Sequence, residues 1–239
     1  MDFVKQNWTS KEQKEFRIVL EQMGEQKYKE FNQKIVKGNM PMIGIRMPEL
    51  KKMAKQIAKG NSLEFIRTCI PVYHEEMIIL GIVIGISDIE YEQFLLEMND
   101  YVKRIENWAV CDTFCSNIKK QVEENKEAFW NDITLYLRSK NNWIVRVALI
   151  VMLCYYLEER YIKQVFKRCE SIKSEFYYVK MAQAWLIATA WVKCPEQTKQ
   201  YLSKSTLDKW TFHKAIQKAC ESARVSKEDK MYLKTLKKQ

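Results

Sequence analysis

Four aromatic residues, Trp108, Trp143, Tyr178 and Phe212, follow one another at spacings of 35, 35 and 34 residues. Each opens an apolar segment with helical patterning, and a further helical segment lies between successive ones. A helix pair cannot bury its apolar face alone, so a period of this length signals pairs stacked into a repeat array. The consensus of small residues and Trp-Leu-Gly that marks tetratricopeptide repeats is absent, which favours the HEAT-like kind. The predicted fold is therefore all-α: an α-solenoid of HEAT-like helical repeats with a concave surface, formed as one domain over residues 1–239. No sustained period-2 alternation competes. With only 6 Gly and 4 Pro, the chain also lacks the breakers that a many-turned β-sandwich needs.

The N-terminal third reads as a helix over residues 10–33, the loop KGNMPMIGIRMP, and a helix over 48–58 whose first turn holds Pro48. Two more helices are expected at 62–69 and 74–86, separated by Pro71. Gly81 and Gly85 in the second would let a neighbouring helix approach closely. The apolar run MIILGIVIGI (77–86) is too short to span a bilayer. No apolar signal segment is visible at the N-terminus. The 7 Cys are odd in number and show neither disulfide-like nor zinc-like spacing. The expectation is a reduced, cytoplasmic protein acting as a monomer, with no membrane partner.

Trp108 and Asp112 are one helical turn apart and share a face. In the 35-residue register Asp112, Arg146 and Trp185 stand 4, 3 and 7 residues after their lead aromatics. These offsets span about a quarter to a third of a helix circumference. The same offsets describe a buried stripe. A buried, unpaired carboxylate costs several kcal/mol. Asp112 therefore either pairs with Arg146 across adjacent repeats or faces a groove with the two indoles. Cys111 and Cys115 lack a second pair or a nearby His, so they are expected to be buried thiols and no metal is expected. His74 and His213 have no nucleophile partner in a recognisable motif, and there is no Walker loop or dinucleotide fingerprint.

The formal net charge is +10, and residues 210–239 supply half of the excess, with eight Lys/Arg against three Asp/Glu. This points to an anionic partner, nucleic acid or acidic lipid. Lys214 and Lys218 lie one turn apart and Arg224 follows, which reads either as a phosphate-binding face or as a solvated one.

The segments GIRMPELKKMAKQIAK, NWAVCDTFC, NNWIVRVALI, FYYVKMAQAW and KAIQKACESARVS together resemble, in the same order and over essentially the whole chain, the AlkD family of DNA alkylation repair glycosylases. The resemblance implies a HEAT-like solenoid whose basic concave surface binds duplex DNA containing alkylated bases. It implies removal of N3- and N7-alkylated purines, such as 3-methyladenine and 7-methylguanine, in base excision repair, without metal or organic cofactor. It matches Asp112 to the catalytic carboxylate, with Trp108, Arg146 and Trp185 completing the catalytic set. Trp143, Lys180, Lys214, Lys218 and Arg224 are expected to contact DNA. Ala109 stands where many members have an acidic residue, which removes one solvent or sugar contact. Tyr28 is the closest candidate for a tyrosine that some members contribute from an N-terminal helix. Relatives that only bind DNA have lost the Asp and Trp; this chain keeps both, which favours an enzyme. The alternatives are a non-catalytic repeat protein that binds structured or damaged DNA, and a protein–protein scaffold.

Overall fold

A computed structural model describes residues 3–237, and every regular element among them is helical. The chain divides into two compact units, with the division after Phe129.

The first unit contains α1 (Ser10–Gln22), α2 (Gln26–Ile35), α3 (Met47–Ile57), α4 (Ser62–Thr68), α5 (His74–Ile86), α6 (Tyr91–Tyr101), α7 (Trp108–Asn117) and α8 (Lys119–Glu124). Its frame is a stack of alternate helices, α3 against α5 and α5 against α7. α5 is buried on all sides from His74 to Gly85, as befits the middle of a stack. Its glycines are placed for close approach. A Cβ at Gly81 would lie 2.2 Å from the Tyr101 hydroxyl of α6, and one at Gly85 would lie 2.7 Å from the Asn117 carbonyl of α7. Trp8, Phe16 and Phe65 pack edge to face beneath α1, with Trp8 and Phe65 centroids 4.8 Å apart.

The helix expected over 10–33 is two helices. The chain turns at Met23–Glu25 because Gly24 packs directly on Ile43, where any Cβ would fall 2.8 Å from its Cγ2. The Glu25 N–H then donates to the Gly44 carbonyl at 3.0 Å instead of continuing the ladder.

The second unit repeats the theme. α10 (Asn142–Tyr155), α12 (Tyr177–Lys193) and α14 (Lys209–Glu221) pack in succession, with α11 (Ile162–Ser171) and α13 (Pro195–Leu202) between them in sequence. α9 (Lys126–Leu135) and a 3-10 turn, Tyr136–Arg138, precede this stack, and α15 (Lys227–Leu236) follows it. The four lead aromatics fall in the first turns of α7, α10, α12 and α14. Polar caps fix three of these starts. Asn107, Asn141 and Asp208 accept from the backbone N–H groups of Val110, Trp143 and Thr211 at 3.0, 2.9 and 3.1 Å.

None of the seven cysteines is in a disulfide, and Cys111 and Cys115 are fully buried. Among the described residues no cluster of three metal-binding side chains exists, and no helix is long and apolar enough to cross a membrane.

Candidate functional site

In the first unit, α2, α3, α5 and α7 enclose a cleft of about 280 Å³. Trp108 and Asp112 project from α7 into it, as their one-turn spacing requires, and Ala109 and Thr113 line the same wall. The Trp108 indole N–H donates to the Ile35 carbonyl at the end of α2, at 3.2 Å. Asp112 is half-buried. α2 supplies the facing wall with Tyr28, Phe31 and Ile35, and Phe31 is 57% exposed at the rim. Tyr28 thus shares the cleft with Asp112. The Arg46 guanidinium lies 5.1 Å from the Tyr28 ring and forms two hydrogen bonds to Glu25, at 2.8 and 2.9 Å. That pairing holds the Glu25 carboxyl below its ordinary range.

His74 and Glu75, at the start of α5, also line this cleft. Glu75 is buried, and its oxygens accept the backbone N–H groups of Ile43 (2.9 Å), Gly44 (2.7 Å) and Ile45 (3.4 Å). Successive amides of this kind form an anion nest, which compensates a carboxylate for lost water. The nest requires Gly44, whose φ of +98° a side chain would strain. The Gly44 carbonyl in turn receives the Glu25 N–H, so Glu75 fixes the loop that launches α2. His74 Nδ1 sits 3.4 Å from Asn107 Nδ2, and burial pushes the imidazole pKa down while the Glu75 charge opposes the shift. Neither residue belongs to a motif that marks it as part of the site in the sequence alone. A signal for it existed, since His74 lies 34 residues before Trp108 and continues the register by one repeat.

A half-buried carboxylate beside an indole face, walled by apolar side chains, favours positive charge. The low local dielectric strengthens both interactions.

In the second unit Arg146 is buried, and its Nη1 donates to the Tyr178 carbonyl at 2.6 Å. Trp143 packs against Phe176 and Tyr178, with centroids 5.3 and 5.0 Å away. Trp185 is 39% exposed and lines a cleft of about 340 Å³ together with Lys193, Lys218 and Arg224. Lys214 lies 5.7 Å from the Trp210 ring. Lys180 is mostly covered and pairs with Asp208 at 3.0 Å and Glu175 at 3.5 Å. The hydrogen bond to Asp208 raises the Lys180 pKa, and it braces α12 against the cap of α14.

A search of curated proteins found no match. The sequence model of the family described as DNA alkylation repair enzyme matches residues 16–219. That stretch contains both helical stacks, the Trp108–Asp112 cleft with Tyr28, and every expected site residue except Arg224. On a match of this extent, the chain belongs to the DNA alkylation repair enzyme family.

Proposed function

We propose that this protein is a monofunctional DNA glycosylase that excises positively charged N3- and N7-alkylated purines from duplex DNA. The observation that carries this reading is the cleft in which Asp112, Trp108 and Tyr28 converge. A 3-methyladenine or 7-methylguanine base already carries a positive charge and leaves as a neutral purine. Protonation of the leaving group is unnecessary, so the chemistry does not call on a histidine.

Breaking the N-glycosidic bond builds oxocarbenium character on the deoxyribose. The Asp112 carboxylate stabilises that charge and orients the attacking water. Trp108 offers an electron-rich face to the cationic lesion and sugar. Such contacts are worth up to roughly 2 kcal/mol when desolvated. A neutral, undamaged purine gains nothing from them, so selection follows from charge. Lys214, Lys218 and Arg224 engage backbone phosphates through contacts that carry no sequence information, while Arg146, which was expected to do so, is buried and holds the start of α12 through the Tyr178 carbonyl. Recognition through sugar and backbone, rather than a deep base pocket, would tolerate adducts larger than methyl.

The test is incubation of methylated duplex DNA with the protein, with chromatography of the released bases. Free 7-methylguanine or 3-methyladenine, with an abasic site left behind, is expected. Tight, salt-sensitive DNA binding without base release would instead mark a non-catalytic binder.

A further inference from the structure

A third cleft, of about 620 Å³, lies in the second unit and is lined by none of α10, α12 and α14. Thr134 and Leu135 of α9, the 3-10 turn at Leu137 and Arg138, and α11 through Gln164, Lys167, Arg168 and Ser171 build it. Three of these side chains are cations, Arg138, Lys167 and Arg168, and no carboxylate lines the cleft. None of the three forms an ion pair among the described residues.

The site is held in shape from behind. The Arg168 guanidinium lies 4.4 Å from the Trp130 ring, and Trp130 is packed against Tyr156 and Tyr161 at 4.9 and 5.1 Å. Burial, and then the neighbouring Arg138 charge, holds the Arg168 pKa below the ordinary guanidinium range. Two like charges side by side repel each other, and a bound anion relieves the repulsion. A helix end accounts for a cation beside its own carbonyls. It does not account for cations from two elements converging on one cleft with no acid between them.

We propose that Arg138, Lys167 and Arg168 bind phosphodiester groups of a DNA backbone, at a site separate from the groove around Trp185. Guanidinium forks match phosphate oxygens two at a time, and a lysine adds a mobile point charge. Ser171 and Gln164 supply neutral donors at the rim. Arg138, Lys167, Gln164 and Ser171 are all exposed, so a ligand here stays solvated on one side. This suits a strand running past better than a small phosphate held in a closed pocket. The proposal rests on the DNA-binding half of the function above and not on base release.

The experiment is fluorescence anisotropy of the full-length protein with undamaged duplex DNA over a range of salt concentrations. Arg138→Gln combined with Lys167→Gln removes two exposed charges without touching the Trp130 stack. Each phosphate contact contributes about 0.9 to the slope of log affinity against log salt, so the slope should shallow by roughly 1 to 2. Affinity at physiological salt should fall several-fold for every sequence tested. Lys14→Gln with Lys51→Gln, on the exposed faces of α1 and α3, is the charge-matched control and should leave the slope unchanged.

Equal slopes for the two double variants would show that DNA senses only net charge and would overturn the site. A variant that loses binding of inorganic phosphate at constant ionic strength but keeps the wild-type DNA slope would mark a small-anion site, which also overturns the proposal. Undamaged DNA keeps base release out of the readout, so this site and the glycosylase reading can fail independently.

Discussion

The indole N–H of Trp108 meets the carbonyl of Ile35 at 3.2 Å, so the residue that opens α7 also fastens the end of α2. One side chain therefore holds the cleft's shape and, in the proposed reaction, also faces the cationic lesion. Trp108→Phe keeps a ring in place but removes the donor and weakens the cation-attracting face. Thermal melting should report a loss of about 1 kcal/mol, the net worth of one hydrogen bond. Base release from 7-methylguanine DNA should slow by roughly tenfold, in line with about 1.4 kcal/mol of cation–π stabilisation. Unchanged release would remove Trp108 from the mechanism.

Asp112→Asn alters charge with almost no change in size. If the carboxylate stabilises the sugar cation, single-turnover base release should fall by about 10²–10³-fold, or roughly 3–4 kcal/mol by analogy with other preorganised groups. Affinity for undamaged duplex should hold or rise, because a negative charge near the backbone has gone. Full activity in this variant would rule out the proposed role.

Glu75 is expected to matter for stability before it matters for rate. Glu75→Ala leaves the amides of Ile43, Gly44 and Ile45 without their acceptor inside the protein. A cost of about 2–4 kcal/mol follows from unsatisfied buried donors, measurable by denaturant unfolding. Amide exchange in residues 43–45 and at the start of α2 should accelerate more than exchange in α12. Uniform acceleration would argue against a local clamp.

His74 gives the stability a pH dependence of defined sign. Burial holds its folded pKa below the unfolded value, so the unfolded chain takes up the proton first as pH falls. The contribution is fully present above the unfolded pKa of about 6.5 and is lost as pH falls from there through the folded pKa. The slope is at most about 1.4 kcal/mol per pH unit for one proton. His74→Gln should flatten this part of the stability curve below about pH 6.5 in denaturant melts, and an identical slope would dismiss His74 as its source.

Gly81 is a packing requirement. Gly81→Ala places a Cβ against the Tyr101 hydroxyl, which is itself bound to the Met77 carbonyl at 2.9 Å. Overpacking of this kind typically costs about 1–3 kcal/mol. Tyr101→Phe in the same chain should recover part of the loss by removing the hydroxyl. An additive double variant would mean that the two sites do not touch.

The residues that were legible in the sequence are those whose signal is local. Trp108 and Asp112 share a cleft because a one-turn spacing dictates it. The period of 35 anticipated the stacking of α10, α12 and α14, because each lead aromatic lies in the first turn of a helix of the same kind. The features that escaped depend on contacts distant in sequence. The break at Gly24 sits in a stretch rich in Glu, Gln and Lys that favours helix, and Ile43 and Gly44 impose it. Glu75 looks like an ordinary acid in a first helical turn, and nothing near it announces three amides some thirty residues earlier. Lys180 is likewise expected from the resemblance to contact DNA, and nothing local in the sequence announces that Asp208, the cap of the next helix of the stack, pairs with it.

No residue of α2 is buried, although this helix forms one wall of the cleft. It is fastened by the Glu25–Gly44 hydrogen bond at one end and the Trp108–Ile35 hydrogen bond at the other. A wall without a core of its own opens at low cost compared with a packed helix. Polar contacts therefore set the aperture of the cleft on the α2 side, namely these two tethers and Arg46, which pairs with Glu25 and lies over Tyr28, while α3, α5 and α7 form its packed bed. Tolerance for adducts of different size would then be a mechanical property of α2, tunable at Gly44, whose φ of +98° shapes the loop that receives the Glu25 N–H, without altering any group that touches the reacting sugar.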